Sequence, residues 1–599
     1  MSPLFWENVK NPSNLFIYHS SNYLLIVIFI IDLLLESAKL KEILFRKGRV
    51  LRMKLKRKVV SLFVSALALG SVFSSVPVSA QDAPEVDPSV EQTLSIATNG
   101  ELSTLDSALY NDVPTSDMIG QINEGLYRVT TGSEVELGQA EDVDVSDDGL
   151  VYTFTLRDGL TWSNGDPVTA HDFVYSYQRL VDPNSGSVAS TTVEIFKNAA
   201  SIRNGDMELD ELGVVALDDL TLEITLEYPA PYLPKLLTGS RFLPVSKAFV
   251  EEVGSSYATS SENLVSNGPF TLENWNGSNL EWNLVKNPNY WDADNVYLED
   301  VLVQVVKETG TGADLFDAQQ LDYAVLTDDF VQQYAGSDFF YSVPKSTVGY
   351  LSYNTTREAT GNANIRRALS QAFDKELYAE SVIQDGSTPL NGLVPVGFDV
   401  SEDGVDFRDE QGDILVYDVE QAQADWQAGL DELGVDSLEL ELLTSDVDLS
   451  GRTAEYLQAQ LQENLPGLTL TIRSVPLQNR IEFQRNLEFD IFYGTWAPDY
   501  QDAINFIEQY RTDGGINFAE YSNEEYDALV EAAQVEYATD PQQRREALLE
   551  AERIGVAEDA VTAPIYQASS SYLLDPRVQN FEVYPFGRTI NLRTTYVTE

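Results

Sequence analysis

The sequence predicts an α/β protein of more than one domain, and three observations carry that reading. After Asn364, short apolar strands at 438–442, 468–472 and 489–493 alternate with segments at 451–463, 502–510, 523–533 and 541–558 whose apolar residues recur at helical spacing. Such alternation builds α/β layers with ligands at the strand ends. The 599 residues exceed one ordinary core, so two or three domains are expected. Apolar content of 43% with 11% aromatics is that of a globular chain.

Residues 1–80 read as targeting sequence rather than fold. Residues 53–80 have the composition of a secretory signal peptide. Lys54, Lys56, Arg57 and Lys58 precede an apolar run at 59–73, and Val78-Ser79-Ala80 makes a small-residue cleavage site. Residues 23–35 form a second apolar run, broken by Asp32 and short for a membrane span. A further apolar segment ahead of a complete signal peptide has no use, so Met53 is the expected initiator and 1–52 a misassigned upstream extension. Lys47-Gly48-Arg49 can be encoded by a purine-rich tract, where a bacterial ribosome-binding site would sit. A membrane tether is the competing reading, and N-terminal mass spectrometry of the precursor decides between them. Residues 81–92, polar and Pro-bearing, read as a flexible leader.

Beyond the leader, residues 93–97 alternate as a strand and 116–124 read as a helix. Val151, Thr153 and Thr155 alternate with Tyr152, Phe154 and Leu156 in a strand that ends at Asp158-Gly159 and Asn164-Gly165. Thr169 and Asp172 form a capping box for a helix striped by Phe173, Tyr177 and Leu180. Residues 214–226 read as a hairpin, 279–286 as a strand, and Ile365, Ala368, Leu369, Ala372 and Phe373 as one face of a helix.

Charge and composition narrow the chemistry. Residues 1–80 hold 11 Lys/Arg and 4 Asp/Glu, leaving 27 against 91 in the remainder, a balance of −64. A surface this acidic repels phosphates, so nucleic acid is not a partner; a solvated surface explains it better than capture of cationic ligands. There is no cysteine, which removes disulfides, thiol catalysis, Cys-ligated metals and the lipid attachment of a lipoprotein. After residue 80 the lone imidazole is His171, within the capping box and read as structural. The sequence has no G-x-S-x-G, H-E-x-x-H or G-x-x-x-x-G-K-[ST]. Asp142, Asp144 and Ser146, like Asp446, Asp448 and Ser450, mimic calcium loops without the closing Glu and read as solvated acidic loops. Trp162, Trp275, Trp282, Trp291 and Tyr290 read as packing.

The literal string at 150–183, LVYTFTLRDGLTWSNGDPVTAHDFVYSYQRLVDP, resembles the signature of the family 5 extracellular solute-binding proteins, and of their oligopeptide-binding branch above all. SNGPF (266–270), NPNYWD (287–292), LDYA (321–324), IRRALSQAFDK (365–375), LPG (465–467), WAPDYQD (496–502) and YSNEEYDAL (521–529) follow in family order. The resemblance implies a two-lobed, type II periplasmic-binding-protein-like fold of the peptide-binding cluster, with an extra α+β domain. On that pattern lobe I combines 93–123, 241–351 and 570–599, the extra domain is 124–240, and lobe II is 352–569. Lobe closure over an extended oligopeptide, and delivery to the permease subunits of an ABC importer, are the implied function. The implied protein is a secreted monomer that is neither an enzyme nor a cofactor binder.

The resemblance also places a site. Asp499 matches the carboxylate that accepts the peptide α-ammonium, and Trp496 the aromatic that packs on the ligand. Asn111, Asp112 and Val113 match a segment whose main chain pairs with bound peptide as an added strand, with Tyr493 and Thr495 pairing from the other lobe. The bland alternatives are a self-stabilising turn at Asp499 and a plain loop at 111–113. Ligand-facing rings of the enterobacterial pattern are replaced around Val188-Ala189, at Ala568 and at Leu477, and no basic residue matches a carboxylate anchor. Other readings keep the fold with a sugar, haem or nickel ligand, or make the chain a carboxylate-driven glycoside hydrolase.

Overall fold

The computed structural model describes residues 86–599 except 131–133, 190, 402, 513 and 515. The signal peptide and the upstream extension lie outside the described residues. The leader is fixed at its end, where the Gln92 side chain donates to Val597 O and accepts from Val597 N, each at 2.9 Å.

The first strand is β1 (Thr93–Thr98). The helix expected at 116–124 begins earlier, as α1 (Val113–Ile122). Asp112 is its N-cap, accepting from Thr115 N at 2.9 Å, and Pro114 sits in the first turn, where a missing N–H is no loss. A small antiparallel sheet follows, built from β2 (Ala140–Val145) and β3 (Val151–Leu156) and completed after α2 (Ala170–Val181) by β4 (Val214–Ala216) and β5 (Thr221–Thr225). Its order is β2-β3-β5-β4, with Phe173, Tyr177 and Leu180 of α2 buried as the stripe predicts. The capping box forms: Asp172 accepts from Thr169 N at 2.9 Å, and from Lys247 N at 2.9 Å. His171 is an exposed residue of α2 beside Asp219 (3.5 Å). Asp142 and Asp144 lie exposed on β2, not in a loop, because Val143 pairs with Phe154 and draws them into the ladder.

One large sheet carries the rest. Its strands are β6 (Phe270–Glu273), β7 (Glu281–Lys286), β8 (Asp300–Val305), β9 (Tyr323–Leu326) and β10 (Phe340–Tyr353). After helices α3 (Ala363–Gln371) and α4 (Val419–Leu433) come β11 (Leu438–Ser445), α5 (Asp448–Asn464), β12 (Leu468–Val475), α6 (Leu477–Arg485) and β13 (Ile491–Trp496). Helix α7 (Pro541–Glu552) precedes the last long strand, β14 (Thr562–Leu574). The order is β12-β11-β13-β10-β14-β9-β1-β8-β7-β6.

Strands β10 and β14 join the two halves of this sheet. Tyr323 to Leu326 of β9 pair with the end of β14, whereas Val348 to Tyr353 of β10 pair with β13. Between those regions the ladder slips. Pro344 faces Ser569 and Val348 faces Gln567, so Lys345, Ser346 and Thr347 stand opposite Ala568 alone. A bulge of this kind bends the strand and re-aims its side chains.

Three expectations shift. The strand expected at 489–493 is β13, because Leu487 turns the chain at φ 55° and the Asp490 side chain is spent on Glu441 N (2.9 Å). The helix expected at 502–510 is one turn, Ile504–Ile507, then a tighter turn, Glu508–Tyr510. Asp502 stays outside, accepting from Ile504 N (3.0 Å) and from both terminal nitrogens of Arg544 (2.8 and 2.9 Å). Among the aromatics read as packing, Trp162, Trp275, Trp282 and Tyr290 are buried; Trp291 is half-buried under Arg157, 4.0 Å above its ring.

Candidate ligand-binding cavity

A cavity of about 560 Å³ lies beside the β10 bulge, within the range of about 300–1,000 Å³ typical of small-ligand sites. Six chain segments converge on it: residues 110–113 with the start of α1, Val188 and Thr192, the stretch 236–242 around Arg241, the bulge 345–347, residues 497–499 after β13, and the turn 584–589.

Each segment is positioned by identifiable bonds. Asp112 is held by its capping role, and the main chain before it is held by Arg241, which donates to Tyr110 O (3.0 Å) and Ala108 O (3.4 Å) with its guanidinium 4.6 Å over the Tyr110 ring. The turn 584–589 joins the paired residues Glu582–Val583 and Ile590–Asn591, and Gly587 adopts φ 74°, where a side chain would be strained. Ser346 N donates to Pro585 O at 2.8 Å, fastening the bulge to that turn. Beneath it Asp117 accepts from Thr589 N and the Thr589 hydroxyl; burial still pushes this carboxyl up to about 6.

Asn505 organises the segment after β13. Its side-chain oxygen accepts from Asp499 N at 3.0 Å and from Trp496 Nε1 at 3.3 Å. That leaves the Asp499 carboxylate free: among the described residues it has no hydrogen bond and no ion pair within 4.0 Å. Partial withdrawal from water raises this carboxyl above the ordinary range although the residue is still exposed, and the Arg241 cation opposes the shift.

The structure therefore brings Asp499, Asn111, Asp112 and Val113 to the wall of one cavity. It does not bring Trp496, Tyr493 or Thr495 there. Trp496 and Thr495 lie in β13 opposite Val348 and Gly349. Tyr493 is buried, with its hydroxyl 3.1 Å from that of Tyr566 and its carbonyl taken by Arg480 at 3.2 Å. Three cations that sequence reasoning missed, Arg241, Lys345 and Arg588, also line the cavity. With Asp112 and Asp499 the balance there is three positive to two negative, so the acidity of the whole chain is not reproduced at the site. Pro344, a residue that strand interiors exclude, was the available signal for the bulge that places Lys345.

Comparison with known proteins agrees with this architecture. Residues 134–518 match the family model described as bacterial extracellular solute-binding proteins, family 5 Middle. The dipeptide-binding protein of Lactococcus lactis subsp. cremoris is 32% identical over 520 residues, covering 83% of this chain and 93% of that protein. The oligopeptide-binding protein OppA of Bacillus subtilis is 30% identical, covering 85% of this chain and 93% of its own. Among solved structures, peptide-bound OppA of Listeria monocytogenes is 38% identical and superposes with a TM-score of 0.68 over 85% of this chain and all (100%) of that one. The unliganded open form of the murein tripeptide binding protein MppA is 28% identical, with a TM-score of 0.73 over 86% of this chain and 99% of that one. Folded as a two-lobed periplasmic-binding protein, the chain belongs to the bacterial extracellular solute-binding proteins of family 5.

Proposed function

We propose that this protein is a receptor outside the cytoplasmic membrane that captures oligopeptides and delivers them to the permease of an ABC importer, performing no chemistry itself. One observation carries the reading: an exposed carboxylate without a partner among the described residues, Asp499, lines a cavity that is also lined by Asn111–Val113, the segment leading into α1. Once the lobes close over it, this carboxylate makes a charge-assisted bond to a peptide ammonium, stronger than a neutral one, while main-chain pairing along 111–113 binds a peptide whatever its side chains. The relatives named for dipeptides and oligopeptides support the same ligand class.

In this reading lobe I comprises 93–123, 241–351 and 570–599, lobe II comprises 352–569, and 124–240 is the extra domain. The lobes close by bending at the β10 and β14 crossings. The receptor works as a monomer, exported by the 53–80 signal peptide and without lipid on a cysteine.

The test is a titration of wild type and Asp499→Asn with peptides bearing free or acetylated amino termini. Wild type is expected to prefer the free terminus by about 10- to 100-fold, the range for a hydrogen bond to a charged group, and the variant to bind both alike. A wild type indifferent to acetylation removes Asp499 from this role. Native mass spectrometry of protein from its producer tests the ligand class: co-purifying peptides are expected, and a sugar or haem in their place overturns it.

A further inference from the structure

The β10 bulge puts an unpaired cation into the cavity. Lys345 lines it, half-buried, and among the described residues its ammonium has no hydrogen bond and no carboxylate within 4.0 Å. Asp385 and Asp117 act on it only from beyond 4.0 Å, and each has hydrogen-bond partners of its own. Asp385 accepts from Ser387 N at 2.9 Å, and Asp117 holds Thr589. The lysine stem is not on a loose loop: Lys345 O accepts from Gln567 Nε2 at 2.9 Å, and Ser346 N is tied to Pro585 O at 2.8 Å.

A second donor lies on the same wall. Arg588 is spent through one terminal nitrogen on Gly120 O (2.8 Å), but its Nε is buried and has no partner among the described residues. A charged group withdrawn from water without a counter-ion is costly, and a buried N–H without an acceptor adds to the cost. An anion in the cavity relieves the first, and the Arg588 cation on the same lining adds to its attraction. Burial already depresses the Lys345 ammonium below the ordinary lysine range, as expected of a cation awaiting its partner.

We infer that Lys345, backed by Arg588, is the anion subsite of the cavity and takes a carboxylate of the bound peptide, either its C-terminal one or that of an Asp or Glu side chain. The inference rests on the peptide-receptor reading. Together with Asp499 it lets one cavity read both charges of a zwitterionic guest.

The experiment is calorimetric titration of wild type, Lys345→Met and Lys345→Arg with alanine peptides of two to six residues. Each is offered as the free acid, as the C-terminal amide, and as amides carrying one internal Glu or one internal Gln. Wild type is expected to bind an acid-bearing peptide about tenfold or more tightly than its neutral counterpart. Lys345→Met is expected to erase that preference and Lys345→Arg to keep most of it, with melting curves confirming that both fold. A preference confined to free acids assigns the C-terminal carboxylate, and one confined to Glu amides assigns a side chain. An unchanged preference in Lys345→Met, or peptides bound without regard to carboxylates, overturns the subsite and leaves the receptor reading standing. A wild type that binds no peptide in the panel overturns both.

Discussion

Near the cavity, single residues show how enclosure sets charge. Glu508 accepts from the Tyr500 hydroxyl at 2.6 Å, and Tyr500 stacks on Tyr232 with ring centroids 4.1 Å apart. Burial, with Asp502 and Asp499 adding repulsion, pushes the Glu508 carboxyl up to about 7 against the Tyr500 bond and the Arg511 cation. A carboxyl raised on folding favours the native state while it is protonated. Its contribution is complete below the unfolded value, about 4.5, and is lost as pH rises to about 7. Glu508→Gln keeps a neutral acceptor at every pH, so the variant should be more stable than wild type at pH 8 by up to about 3 kcal/mol, with the two converging near pH 4.5. Urea unfolding across that range checks it, and parallel curves would refute the assignment. The same scale shows what sequence can and cannot reveal of a site. Asp499 was legible because its turn follows an apolar strand and its string resembles a family motif. Lys345 was not: Pro344 beside it hints at a break in the strand, but nothing in FYSVPKSTVGYLSY says that the break turns the lysine toward a cavity built by five other stretches of chain.

Elements with one buried face were the legible ones. β3 and α2 announce themselves by periods of two and 3.6, and each forms where expected, because half their residues meet water and half do not. β10 and β14 did not announce themselves: from Val348 to Tyr353 every residue of β10 is buried, so no alternation survives to be read. Their packing is correspondingly strict. A Cβ built on Gly349 would lie 2.1 Å from Cε1 of Tyr566, a buried ring bonded to Tyr493. Gly349→Ala should therefore cost about 1–3 kcal/mol, the range for overpacking a core. Adding Tyr566→Ala should make the pair cost less than the sum of the two single changes, because the clash vanishes with the ring. Additive costs in denaturant titrations would place the strain elsewhere.

Over the whole molecule, the fold is dominated by contacts between distant parts of the sequence. β1 lies between β8 and β9, β9 leans on β14, and Gln92 is bonded at both ends of its amide to Val597. Closing such long loops precedes any reward from the contacts they allow, which slows folding. A chain that stops before Thr562 lacks the strand shared by both halves of the sheet. Such a fragment is expected to show no cooperative thermal transition by circular dichroism, and a sharp one would mean that the first half folds on its own. The position of β14 has a consequence for the life of the chain. The ribosome makes this central strand almost last, so nearly the entire polypeptide emerges before the two halves of the sheet can be joined. In a family that works beyond the membrane, the two half-sheets of this chain thus stay unjoined until its synthesis is almost over.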